Sequence, residues 1–219
     1  MSIQLSNSAC SKMRRFGKLA VARLLMLGLS CAQPIELGFL MMARNERWNI
    51  LEKLPAWKQT KNFDYFVVGI DQRTDDDTYE VIKEVLSDVE KVHIFYFEFT
   101  GFGPARNILL ERARAAFPGL THALMADPDW LPVEGTTGRG ALEAAPPGTE
   151  VFSFRVYDKG QTTFRYVDWL FRVEGARFRY HLHEQLRTPG MPGAPTAHTG
   201  WEVRELPAAR SWHTDPGED

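Results

Sequence analysis

Apolar residues in this chain fall first in short unbroken runs and later in alternation, and the two patterns divide it. Leu37–Ala43 is continuously apolar and ends in Arg44-Asn45-Glu46, which predicts a buried strand with a polar tip. Tyr65–Ile70 predicts a second strand with Asp71 at its tip. Val92–Phe99, rich in aromatic and β-branched residues, predicts a third, and Ala123–Ala126, leading into Asp127-Pro128-Asp129, a fourth. Helices are expected between them: one from about Trp48 to Trp57, and one with Val81, Ile82, Val85 and Leu86 at helical spacing. A third opens at Pro104 and stops at Pro118-Gly119. Such alternation predicts an α/β fold: a mostly parallel sheet with helices on both faces.

Past Pro132 the pattern changes. Gly135–Gly148 reads as a loop or short helix. Val151–Tyr157 alternates and is expected to form a hairpin with Thr163–Val173, making a C-terminal β-rich part. Phe178–Leu182 reads as a further strand, and Pro189–Thr199 as a loop.

The 219 residues suffice for one domain with a hydrophobic core, read here as 33–219. Residues 1–32 read as an extension: Lys12, Arg14, Arg15 and Lys18 precede a leucine-rich stretch that Arg23 splits. It resembles an incomplete targeting signal or a basic amphipathic helix able to touch a membrane surface. The reading favours a cytoplasmic protein while leaving secretory targeting open. A net charge of −2 gives no support to nucleic-acid binding, and Cys10 and Cys31 both lie in the extension, so disulfides do not hold the body together.

In a parallel sheet the tips Arg44-Asn45-Glu46, Asp71 and Asp127-Pro128-Asp129 share one edge, where open α/β sheets bind ligands. Paired carboxylates suit Mg²⁺ or Mn²⁺ bound to phosphates, and equally a solvated turn. Arg106 can reach a phosphate or the acidic cluster. Asp75–Asp77 read mainly as helix-start charges.

These segments, in this order, resemble the family 2 glycosyltransferases of the GT-A fold. The resemblance rests on Arg44-Asn45-Glu46, Asp71 with Thr74-Asp75-Asp76-Asp77-Thr78, Phe102-Gly103-Pro104-Ala105-Arg106-Asn107, Asp127-Pro128-Asp129-Trp130, His181-Leu182-His183-Glu184 and Ser211-Trp212-His213. Pro128 and Trp130 depart from the family's Asp-Ala-Asp-Glu. The resemblance implies a metal-dependent, inverting transfer from a nucleoside-diphosphate sugar, UDP above all, to a hydroxyl of a glycan, lipid or protein acceptor. It implies Mn²⁺ or Mg²⁺ on Asp127, Asp129 and His213, and a nucleotide-sugar site from Arg44, Asn45, Glu46, Asp71, Arg106 and Asp127. Glu184 would be the catalytic base, with His183 a second candidate. A non-catalytic domain of this fold binding nucleotide or glycan is the alternative, and a nucleotidyltransferase a third. Trp169, Tyr180 and Trp201 are candidates for stacking on sugar rings, or core.

Overall fold

The computed structural model describes residues 34–135, 138–158, 160, 162–190 and 196–206. His213 and residues 1–33 lie outside them. Among the described residues, ten strands and four helices follow in the order β1 (Leu37–Ala43), α1 (Arg47–Gln59), β2 (Tyr65–Asp71), α2 (Thr78–Val85), β3 (Val92–Phe97), α3 (Phe102–Ala116), β4 (His122–Ala126), β5 (Trp130–Pro132), α4 (Arg139–Ala144), β6 (Val151–Tyr157), β7 (Phe164–Arg172), β8 (Arg177–Arg179), β9 (Gln185–Arg187) and β10 (Thr196–Glu205).

Eight strands form one sheet in the order β3-β2-β1-β4-β7-β6-β10-β5, while β8 and β9 make a separate antiparallel pair. The first four are mutually parallel. The chain winds outward from β1 through β2 to β3, then returns to lay β4 on the other flank of β1. That reversal makes the C-terminal ends of β1 and β4 the switch point of the sheet, the place where such sheets take ligands.

The continuous apolar runs are explained by two-sided burial. In β1, Leu37, Phe39, Met41 and Ala43 join one core, while Leu40 joins the other. In β2, Phe66, Val68 and Ile70 face the first core and Tyr65 and Val67 the second, the period of two that a pleated strand imposes. Helices α1 and α2 fill the first core with Ile50, Leu54, Trp57, Val81 and Ile82; α3 fills the second with Leu109, Leu110 and Ala113. Helices therefore cover both faces of the sheet, as the alternation requires.

The hairpin expected from Val151 to Val173 is β6 with β7, and β7 pairs antiparallel with β4. Two expectations need correction. The strand over Phe178–Leu182 is shorter and earlier, Arg177–Arg179, because Tyr180 and His183 adopt positive φ (71° and 53°), which breaks extended structure. The loop expected to reach Thr199 ends sooner. β10 starts at Thr196 and lies between β6, to which it is parallel, and β5. Trp201 is wholly buried on β10, packs edge-on to Trp57 with ring centroids 5.9 Å apart, and is core rather than a sugar platform. Trp130 is also core: it is buried, and its carbonyl accepts a 2.8 Å hydrogen bond from Trp57 Nε1. Among the described residues no helix is long and apolar enough to cross a membrane.

Candidate functional site at the sheet's switch point

The tip of β1 is tied to the loop after β2. Asn45 takes a left-handed conformation (φ 53°), which Asn tolerates better than most residues. Its side chain donates to Asp75 Oδ1 (2.6 Å) and accepts from the Asp75 amide (3.1 Å). The Glu46 amide donates to Thr78 Oγ1 (2.8 Å), and Arg47 pairs with Asp77 (3.0 Å). Asp76 accepts from the Thr78 amide at the start of α2 (3.0 Å). The acidic run thus works as the expected helix-start and loop charges.

Glu46 stands apart electrostatically. Burial, opposed by the Asn49 amide that donates to Oε2 (2.7 Å), and the charges of Asp129, Asp127 and Asp76 raise its pKa to about 7. A carboxyl shared between charged and neutral forms at neutral pH therefore sits within the field of both carboxylates that follow β4. Asp71, buried at the tip of β2, is held from its own loop. Arg73 donates to it through Nε, Nη2 and the backbone amide, and this guanidinium, with a smaller contribution from Arg44, keeps its pKa below the usual carboxylate value against the opposing effect of burial.

The link between distant segments is Arg106 on α3, which is 2% exposed. Its Nη2 donates to Asp127 Oδ1 (3.1 Å) and its Nε to Glu184 Oε1 (2.7 Å). The guanidinium lies over the Trp169 ring, 3.9 Å from its centroid. Trp169 also stacks on Trp130 (5.4 Å, 20°), so its ring is engaged by protein partners and is not a free sugar platform. Nη1 of Arg106 is buried and has no hydrogen-bond partner among the described residues. A planar fork that reaches two carboxylates at once is a task for Arg rather than Lys. Removing one member of such a buried pair costs about 3–5 kcal/mol.

The segment carrying Glu184 is clamped to α3. Asn107 Nδ2 donates to the Phe178 carbonyl (2.8 Å) and Asn107 Oδ1 accepts from the Phe178 amide (2.7 Å), imitating one rung of a strand pairing. The Phe102 amide donates to the His181 carbonyl (2.9 Å), and a Cβ on Gly103 would lie 2.0 Å from the Tyr180 carbonyl oxygen. Tyr180, Leu182 and His183 are exposed, and His181 Nδ1 lies 3.0 Å from the Thr100 carbonyl.

Asp127, Arg106 and Glu184 are in direct contact, with Glu46 and Asp129 in the same electrostatic neighbourhood. Arg44 and Asp71 form an adjoining tip. Asn107 and Trp169 also build the site, Asn107 by clamping the segment before Glu184 and Trp169 by lying under the Arg106 guanidinium. For Asn107 the signal was its place beside Arg106 at the start of a helix that faces the acidic edge.

A divalent cation was expected here. Among the described residues no group of three or more His, Cys, Asp or Glu side chains can enclose a metal. Asp127 and Asp129 nevertheless offer hard-oxygen carboxylates of the kind that suit Mg²⁺ or Mn²⁺.

No family model and no curated protein matches the chain. Among solved structures it aligns with S. aureus TarS 1–349 in complex with UDP-GlcNAc at 15% identity and a TM-score of 0.43, over 57% of this chain and 35% of that one. The complex of TarS 1–349 with UDP gives the same identity and score, over 36% of that chain. A longer S. aureus TarS structure aligns at 17% identity and 0.45, over 22% of its length. The alignment thus spans little more than a third of these proteins at most. By its own topology the chain is an α/β protein with two carboxylates, Asp127 and Glu184, bridged by Arg106 beside the switch point of its sheet.

Proposed function

We propose that the protein is a glycosyltransferase that moves a sugar from a nucleoside-diphosphate donor, a uridine nucleotide first, to an acceptor hydroxyl. The observation that carries this reading is the Asp127–Arg106–Glu184 bridge. It unites three of the segments on which the family resemblance rests, and it does so at the edge where α/β sheets bind nucleotides.

In this reading Arg44 and Asp71 border the nucleoside, and Asn45 and Glu46 shape its pocket through their ties to the Asp75–Thr78 loop. Asp129 and Asp127 would hold Mn²⁺ or Mg²⁺, which when bound offsets charge growing on the departing diphosphate. Glu184 takes the proton of the acceptor hydroxyl. The acceptor oxygen then bonds to the anomeric carbon while the bond from that carbon to the diphosphate oxygen breaks, its electron pair leaving with the diphosphate. Attack from the face opposite the leaving group inverts the anomeric centre. Arg106 fixes where Glu184 points.

A second reading, a non-catalytic nucleotide- or glycan-binding domain, has one observation in its favour: Glu184 is already engaged by a buried guanidinium. Calorimetric titration with UDP, with and without Mn²⁺, on the protein and on Asp129→Ala tests the donor site. Binding that requires both metal and Asp129 supports it; no binding of UDP or GDP under any condition removes it. If donor binds, donor turnover with a panel of glycosides, lost in Glu184→Gln, separates transferase from binding domain.

A further inference from the structure

Between β7 and β9 lies a cleft of about 380 Å³, lined by Tyr166, Asp168, Trp169, Glu184, Gln185 and Arg187 among others. Its volume falls in the range of small-molecule sites. Both of its carboxylates are held from behind by buried donors. Ser153, 3% exposed, hydrogen-bonds Asp168, and Arg106, 2% exposed, holds Glu184. Anchoring of this kind fixes the carboxylates' direction while leaving further lone pairs to accept hydrogen bonds.

The same Arg106 lies against two lining residues, stacking on Trp169 and pairing with Glu184, so the floor of the cleft is held in place from the buried side. Arg187 adds one positive charge, and its Nη2 already donates to Gln185 Oε1 (2.7 Å). Tyr166 is 55% exposed and offers an aromatic surface at the rim. Two carboxylates against one partly engaged arginine give the lining no excess positive charge with which to hold a phosphate. The lining suits groups that donate and accept together, and hydroxyls do both.

We infer that this cleft binds an uncharged saccharide through its hydroxyl groups, and that this saccharide is the acceptor. Calling it the acceptor rests on the transferase reading; its binding does not. In that role the saccharide delivers one hydroxyl to Glu184, while Asp168 holds a neighbouring one.

The test is amide-resolved NMR of the full chain, titrated separately with methyl glycosides of glucose, galactose, mannose and N-acetylglucosamine, and with farnesyl phosphate as an anionic lipid probe. The expected result is that at least one glycoside shifts the amides of Tyr166, Asp168 and Gln185. Asp168→Asn and Tyr166→Ala should each weaken that binding about 10-fold, roughly one hydrogen bond or ring contact, without moving a parallel UDP titration. The inference is overturned if no glycoside shifts these amides, if both variants bind as the parent does, or if farnesyl phosphate alone occupies the cleft. Glycoside shifts with no nucleotide binding would remove the transferase reading and keep the cleft; nucleotide binding with no glycoside shifts would do the reverse.

Discussion

Asn107→Ala tests whether the Glu184 segment is held by a single amide side chain. The substitution deletes both hydrogen bonds to Phe178, whose side chain and backbone are 3% exposed, while leaving Arg106 and the rest of α3 in place. Each backbone group left without a partner in a dry environment costs about 1–3 kcal/mol. Asn107 is itself half-buried, so water entering the vacated space recovers part of this, and a loss of about 2–4 kcal/mol is expected. With a urea dependence near the upper end of the usual range, about 3 kcal/mol per molar, the midpoint should fall by roughly 1 M at unchanged slope. Urea denaturation followed by Trp fluorescence measures the shift, and amide exchange at Phe178 localises it. A midpoint within about 0.2 M of the parent (~0.6 kcal/mol at that slope), with Phe178 still protected, would refute the reasoning. The clamp would then reside in the Gly103–Tyr180 approach and the Phe102–His181 bond.

Three other outcomes follow from the same structure. Asp129→Ala should abolish Mn²⁺-dependent UDP binding in calorimetry while the chain still unfolds cooperatively; UDP binding that stays metal-dependent in the variant would refute the assignment. Gly103→Ala should lower stability by about 1–3 kcal/mol or more, because the new Cβ meets a backbone carbonyl that cannot rotate away; an unchanged Tm would deny the close approach. His122, half-buried on β4 and opposite Arg172 on β7, has its pKa depressed to about 4, chiefly by burial and then by Arg172. The unfolded chain therefore binds this proton first, so stability is full above about 6.5 and is lost as pH falls toward 4, by roughly 3 kcal/mol in all. The stability difference between the protein and His122→Gln, measured from pH 7 to pH 4, should move in favour of the variant as pH falls, and a constant difference would contradict this.

The parallel half of the sheet was legible because β1, β2 and β4 are buried on both faces, while the half-buried edge strand β3 showed through its aromatic and β-branched residues; Leu37–Ala43 came out with its observed ends. β10 was hidden by its neighbourhood. The Pro- and Gly-rich approach to it suggested a loop, although Thr199, Trp201 and Val203 alternate inward as a half-buried strand requires. Spacing along the chain could place Asp127 and Arg106 on one edge. It could not show that one guanidinium would join them to Glu184, 78 residues further on, because that contact depends on how the segment after β8 folds back over α3. Trp130 was legible as a departure from a motif, but its reason, a core position under Trp57, exists only in three dimensions.

The pairing of β5 has a consequence for how the site is made. The strand that follows Asp129 directly is hydrogen-bonded in the sheet to β10, and the Leu206 amide donates to the Asp129 carbonyl (2.9 Å). During synthesis the acidic motif therefore emerges long before the strand that fixes it. The parallel half can assemble on the ribosome while Asp129 still lacks its backbone anchor, because contacts so distant in sequence form late. Translation must proceed through Leu206 before the acidic motif gains this anchor.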